Sequence, residues 1–486
     1  MAATSDRTAA RKGAALYFVG ALTAQACALL RYLVLARLLG PGQLGLAAIL
    51  TLTVAFFGLI TDTGGDRFLI QSRDGDKPSV QGMVQLVLIT RGVLAATVMV
   101  AAAWPIAMLY RAPELVGGLV ALAIPLVLSG FFHLDMRRYQ RKQDFRSEGI
   151  ALLASEPLSV VATVTAALIT HGFSAIVYGL ITRWCVFIVV SHLRSERPFA
   201  VSIDRAHFAQ LLGFSAPLML NGFLLFLGSQ SDRVIIGRVL SLRELGLYSA
   251  VSLLIYYPSS MALQYMGAMY LPLVSSSRSE AARRSAADLM GGQAILLALL
   301  MSSGFTLTMP FIVPILYGAK FAQPTYIVAL IGVLQTSRFL IVWPNTVAMG
   351  GGRSSFVLYS NLVRLIGLPI AILGAHLKPG LDVVAAAFIV GEWVAVSFGV
   401  RLTHRRIGHG PLASFGRLGS FFLASALVVA WPLAISSNDT KVEGVLAVAT
   451  VAVVAWLLGR EKTTLVGSFG QLRGMGRAPA AVAAPP

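Results

Sequence analysis

Six arginines and three acids stand inside long apolar runs of this chain: Arg31, Arg91, Arg183, Arg233, Arg338 and Arg364, with Glu156, Asp232 and Glu392. A charge near mid-bilayer costs roughly 2.5–3.5 kcal/mol on insertion scales, so such residues turn toward protein or water and mark functional positions. Positive charge is in excess, six against three. A guanidinium presents a planar fork of donors that fits a phosphate oxyanion. The chemistry indicated is non-covalent recognition of an anion in a water-filled, cationic cavity. Arg31, Arg338 and Arg364 are deep and have no acid beside them in sequence; with Arg233 they form the candidate substrate-binding set. The three deep arginines are expected to face one shared cavity between two halves of the protein. Glu156, Asp232 and Glu392 are the buried candidates for carrying a proton or coupling ion. Arg91, near a span end, reads as a snorkelling residue. Arg183, beside Trp184, is expected to pair structurally with Glu156 on a neighbouring helix. For the adjacent Asp232 and Arg233, a gate and a packing pair fit equally.

No residues suggest a catalytic centre. The seven histidines are scattered without metal-ligand spacing. Cys27 and Cys185 both lie in apolar runs and imply neither a disulfide framework nor a metal site. There is no phosphate-binding glycine loop; Gly459–Thr464 lacks its spacing. Membrane polymerases and ligases usually carry acids or histidines on a large outer loop. Here the expected outer acids, Glu114, Glu244, Asp382, Asp439 and Glu443, are on short connections. The expectation is a transporter, not an enzyme, with no cofactor and no metal.

Lipid must be the solvent of the elements that position these charges. Of 486 residues, 56% are hydrophobic and 12% charged, where soluble domains carry about 25% charged residues. The formal charge of +18 would suggest nucleic acid in a soluble protein. Here the basic residues sit between apolar runs and read as topology and contact with anionic lipid. About 20 apolar residues span a bilayer. Fourteen such runs fall near 14–39, 44–60, 84–103, 115–132, 149–170, 173–192, 215–240, 245–269, 289–309, 325–346, 354–375, 383–400, 415–434 and 442–459. The first run begins like a signal peptide, with Ala24-Gln25-Ala26 imitating a cleavage site, but it is too long for one. With the N-terminus in the cytoplasm, 26 of the 39 Lys and Arg residues fall on cytoplasmic connections. Seven fall outside: Arg37, Arg111, Arg238, Arg243, Lys320, Lys378 and Lys441. Both termini are therefore expected in the cytoplasm.

An internal repeat divides the chain. VLARLLGPGQLGL (34–46) matches IIGRVLSLRELGLY (235–248) at an offset of 201, pairing Arg37 with Arg238 and Leu44-Gly45-Leu46 with Leu245-Gly246-Leu247. Six spans separate the copies, which makes the repeat parallel, an arrangement typical of transporters. The expected fold is an all-α polytopic membrane protein of about 14 transmembrane helices: two parallel six-helix halves about a pseudo-two-fold axis, plus two C-terminal helices. The expected division is an N-terminus at 1–13, halves at 14–192 and 215–400, a linker at 193–214, extra spans at 401–459, and a partly disordered tail at 460–486. Prolines at 125, 157, 258, 310, 344, 369 and 432 fall within spans, where each frees a carbonyl and permits a kink.

Four segments resemble polysaccharide flippases of the MATE-like exporter superfamily, which include Wzx-type O-antigen flippases. They are LARLLGPGQLG (35–45), TDTGGDRFLIQSRD (61–74), FFHLDMRRYQRKQDFR (131–146) and DRVIIGRVLSLRELGLYSA (232–250). The resemblance covers residues 14–400; these motifs are structural turns, and no ligand set carries over with them. It implies translocation of an oligosaccharide on undecaprenyl pyrophosphate across a bacterial inner membrane by alternating access. The implied partners are that lipid-linked sugar, membrane lipids, and the polymerase and glycosyltransferases of a surface-polysaccharide pathway (lipopolysaccharide or exopolysaccharide), with no nucleic acid. Export of a drug or another anionic lipid by a MATE-like protein is the alternative, and a polymerase or ligase a more distant one. A carrier of organic cations would want acids in its cavity, against the excess of arginine here. A periplasm-dependent reporter fused at Arg477 is expected to stay inactive; strong activity there would overturn the topology.

Overall fold

The computed structural model describes residues 2–277, 279–353, 355–407 and 411–436, all helix and connection. The predicted span 442–459 and the tail 460–486 lie outside these residues. The helices are α1 (Ala2–Leu39), α2 (Pro41–Ile60), α3 (Gly65–Gln71), α4 (Pro78–Leu109), α5 (Leu115–Ala121) and α6 (Ala123–Leu128). Next come α7 (Asp135–Arg141), α8 (Arg146–Thr170), α9 (Ala175–Leu193), α10 (Arg205–Ile235), α11 (Leu242–Ser275) and α12 (Glu280–Tyr317). The last are α13 (Thr325–Leu340), α14 (Val342–Gly350), α15 (Ser355–Arg364), α16 (Gly367–Leu377), α17 (Leu381–Ile407) and α18 (Pro411–Ser436). Among the described residues, 11 helices are long and apolar enough to cross a membrane, and Leu115–Leu128 is a shorter apolar one. Each of the first thirteen predicted spans coincides with one helix or one broken pair.

The breaks have a common cause. A proline lacks its N–H and its ring clashes with the carbonyl four residues earlier. The α5/α6 break at Leu122 lies three residues before Pro125, and the α13/α14 break at Ile341 three before Pro344. The gap between α15 and α16 opens at Leu365, four before Pro369. Pro105, Pro157, Pro217 and Pro432 are accommodated inside continuous helices.

Two compact units result. One holds the chain to Leu253 with Val313–Ala322 and Pro379–Leu381; the other holds Leu254–Ile312, Gln323–Lys378 and the described chain from Asp382. The compact division thus falls within α11, while the sequence reading divides the halves at 193–214. The physical reason is glycine. α10 packs on α2 with Gly222 so close that a Cβ there would lie 2.1 Å from the Leu59 carbonyl oxygen. The two repeat copies then meet reciprocally. A Cβ on Gly45 would lie 1.8 Å from the Leu242 carbonyl oxygen, and one on Gly246 would lie 1.9 Å from that of Pro41. Pro41 and Leu242 are themselves related by the offset of 201, so the contact is self-complementary about a local two-fold, as in an isologous interface.

Elsewhere in this unit α8 crosses α1 through Gly149 and Gly20, and α9 through Gly179 against Ser159. In lipid, such small-residue contacts do much of the packing. Gly45→Ala and Gly246→Ala are each expected to destabilise the protein by about 1–3 kcal/mol, the range for overpacking. The double variant should cost less than the sum because one contact is lost once. Thermal unfolding in detergent checks both; unchanged melting in either single variant would exclude the close approach.

Candidate functional site

In the first unit Glu156 of α8 gathers two arginines. Arg31 of α1 lies 3.3 Å from Glu156 Oε2 and donates to Ser159 Oγ at 2.6 Å. Arg183 of α9 places Nε 2.5 Å from Glu156 Oε1. Ser159 Oγ in turn donates to the Gly179 carbonyl at 2.8 Å, the position where α9 approaches α8. Buried Ser155, Ser159 and Thr163 stand at four-residue steps on one side of α8, the spacing that aligns side chains along a helix. Arg31 and Glu156 are 8% and 3% exposed, which excludes lipid contact. Arg183 lies over the Trp184 ring, 5.5 Å from its centroid.

Two cavities lie within this unit. The deeper, about 130 Å³, is lined by Val54, Gly58, Gly92, Pro125 and Leu180 among others. The larger, about 300 Å³, reaches the end of the unit that bears α3 and α7, with Asp62, Asp66, Arg67, Arg137 and Glu148 in its wall. Arg91, Ser129, Arg183 and Trp184 line both.

The rim is fixed by ion pairs. Arg137 of α7 bridges Asp66 at 2.9 Å and Glu148 at 3.0 Å. Its neighbour Asp135 accepts from the backbone N–H of Glu196 and of Arg197, both at 2.9 Å, and from Gln81 at 3.1 Å. Burial would push the Asp135 carboxyl up, but the Arg197 N–H and the Gln81 amide outweigh it and hold the group below the usual carboxylate range. The basic segment 131–146 is thereby a clasp joining three connections at one end of the unit.

In the second unit the arrangement recurs with one acid between two arginines. Glu392 Oε1 of α17 lies 2.7 Å from Arg364 Nε and 3.3 Å from Arg338 Nε. Glu392 is 1% exposed, and its Oε2 has no hydrogen-bond partner among the described residues. The proline breaks position the cations. Arg364 is the last residue of α15 and Arg338 lies in the last turn of α13, and helix C-termini favour positive charge. Gly391 sits against Gly367 and the Arg364 carbonyl, which lets α17 approach closely enough to bring Glu392 within reach.

The structure therefore gives each deep arginine a carboxylate that adjacency in sequence did not reveal. It places Arg31 in one unit and Arg338 and Arg364 in the other. The expected Arg183–Glu156 pair is present. The Tyr248 hydroxyl donates to Asp232, and Arg233 donates to Gln230 Oε1 at 3.1 Å. Sequence reasoning missed the Arg137 clasp, whose acids are far apart in the chain. The apolar run holding Arg91 begins near Val84, and α4 begins earlier, at Pro78. Among the described residues no three of His, Cys, Asp and Glu are grouped to hold a metal.

Each triad carries two cations and one anion, so its members are not equivalent. Removing the acid strands two guanidinium groups, one buried and one partly buried; removing one arginine leaves a neutral pair. Glu392→Gln is expected to cost about 3–5 kcal/mol, the range for breaking a buried pair. Arg338→Met or Arg364→Met should cost markedly less. Thermal unfolding of the three variants checks this order, and the reverse order would refute the shared-carboxylate arrangement.

Residues 34–325 match the family described as "Polysaccharide biosynthesis protein". The chain is 26% identical over 342 residues to the succinoglycan biosynthesis transport protein ExoT of Rhizobium meliloti, covering 68% of this chain and 67% of that one. It is 22% identical over 318 residues to the amylovoran biosynthesis protein AmsL of Erwinia amylovora, covering 64% and 81%. Among solved structures it is similar to an inward-facing multidrug MATE transporter, with TM-score 0.61 and 15% identity over 81% of this chain and 94% of that one. It is also similar to the lipid II flippase MurJ in an inward closed conformation, with TM-score 0.57 and 13% identity over 95% and 100%. At these identities the structural likeness is one of fold.

Proposed function

Because this chain belongs to the polysaccharide biosynthesis protein family, we propose that it is a flippase of such a pathway, moving an oligosaccharide linked to undecaprenyl pyrophosphate across the bacterial inner membrane. The observation that carries the substrate's sign is the pair of triads, each with two arginines on one buried glutamate. A surplus cation held out of water is a site for an anion, and a diphosphate accepts from arginine forks. The relatives named for succinoglycan transport and amylovoran synthesis support a polysaccharide precursor as cargo. The same surplus disfavours an organic cation as substrate.

In this reading Arg31, Arg233, Arg338 and Arg364 line one cationic cavity that opens alternately to the two sides, both termini staying in the cytoplasm. The diphosphate competes with Glu156 and Glu392 for their guanidinium groups. With Asp232, these are the buried acids that couple the exchange to a proton or cation. The polymerase and glycosyltransferases of the same pathway act before and after it on the same lipid carrier.

Single substitutions separate charge from scaffold, since each triad keeps one neutral pair when one arginine is lost. Arg31→Ala, Arg338→Ala and Arg364→Ala are each expected to reduce polymer export at least tenfold in a strain that relies on this protein, with normal membrane levels. The lysine variants, which keep charge but lose the fork, should retain part of it. Unchanged export in all three alanine variants would refute the cationic-cavity mechanism.

A further inference from the structure

Among the described residues, Arg91 is the one cation in the wall of the larger first-unit cavity that makes no ion pair with a carboxylate. Arg67 pairs with Asp62 at 3.4 Å, Arg137 with Asp66 and Glu148 at 2.9 and 3.0 Å, and Arg183 with Glu156 at 2.5 Å. Arg91 makes no hydrogen bond or ion pair among the described residues. Asp66 and Asp62 are the acids that attract it, but their ion pairs are made with Arg137 and Arg67. The lining carries four arginines against three acids, and Arg91 is the one of the four with no carboxylate at ion-pair distance among the described residues.

Its location in the wall of both cavities suits a ligand. Arg91 is 13 residues into α4 and 18 from its end, about 20 and 27 Å along the axis at the helical rise. It is half-buried, next to Gly92, whose missing Cβ lets α4 approach the Leu126 carbonyl of α6. It lines both cavities, so it stands where the one reaching the clasped rim gives way to the deeper one. Arg183 and Trp184 line both with it. The Trp184 indole N–H makes no hydrogen bond among the described residues, which adds a second available donor. Five guanidinium N–H groups beside an aromatic donor, in a cavity of about 300 Å³, are the components of an oxyanion site.

We propose that Arg91, supported by Arg183 and Trp184, binds the phosphoryl headgroup of the substrate within the first unit, at the junction of its two cavities. This rests on the flippase reading and adds a site to it. The headgroup enters past a rim whose acids, Asp62, Asp66 and Glu148, are held in ion pairs by Arg67 and Arg137. It meets Arg91, the wall cation that makes no ion pair among the described residues, and then competes with Glu156 for Arg183. Arg91 contacts the ligand; Arg67 and Arg137 hold the wall.

The test is calorimetric binding to the full-length protein in phosphatidylcholine nanodiscs, with three probes: farnesyl pyrophosphate, inorganic pyrophosphate and farnesol. Farnesyl pyrophosphate is expected to bind, inorganic pyrophosphate to compete with it, and farnesol to do neither. Arg91→Ala should weaken both diphosphates roughly tenfold or more, Arg91→Lys less, and the exposed Arg111→Ala not at all. Should Arg91→Ala fail to fold, Arg91→Gln takes its place under the same criterion, with thermal melting as the check. Wild-type binding that survives loss of Arg91 overturns this site alone. Wild-type protein that binds neither diphosphate overturns the site and the flippase reading together. If phosphatidylglycerol nanodiscs displace farnesyl pyrophosphate through Arg91, the site takes bulk lipid headgroups, and its assignment to substrate falls.

Discussion

Charge held away from water must be met by charge within the chain, and that requirement organises each unit. Insertion of one arginine near mid-bilayer costs roughly 2.5–3.5 kcal/mol, yet this protein buries several. Glu156 and Glu392 make this tolerable by serving two guanidinium groups each. Sharing leaves each triad with a net positive charge. A one-to-one pairing would be a closed structural element; two-to-one pairing stays folded while remaining receptive to an anion.

Backbone constraints deliver the triads. Without water to satisfy freed carbonyls, the chain remains helical through its spans, and breaks fall where proline forces them. Two of these breaks place Arg338 and Arg364 at helix C-termini. Glycines then set which helices approach closely. Gly179 opens the α8–α9 crossing beside Ser159, and Gly391 the α17 approach beside Arg364. The same device, used reciprocally by Gly45 and Gly246, draws the seventh span into the first compact unit.

The rim of the first unit uses charge differently. Asp62, Asp66, Glu148 and Asp135 all engage partners near the clasp, and the cations there are spent on structure. That contrast gives Arg91 its meaning. Its significance comes from the pairing of its neighbours, which leaves it the only lining cation of that cavity without a carboxylate partner among the described residues.

Apolar run lengths and the Lys/Arg distribution were enough to read an all-helical membrane protein, because lipid imposes a length and a polarity that composition records directly. The repeat at 34–46 and 235–248 was legible for a similar reason: a close helix approach demands glycine at fixed spacing, and Gly45 and Gly246 register it. The pairing of the buried charges was not legible. Arg31 and Glu156 are 125 residues apart and Arg338 and Glu392 are 54 apart, so only helix packing decides which acid reaches which arginine. The compact division within α11 and the isolation of Arg91 belong to the same class. Each depends on distances across several helices, whereas sequence periodicity reports only what one helix presents to its surroundings.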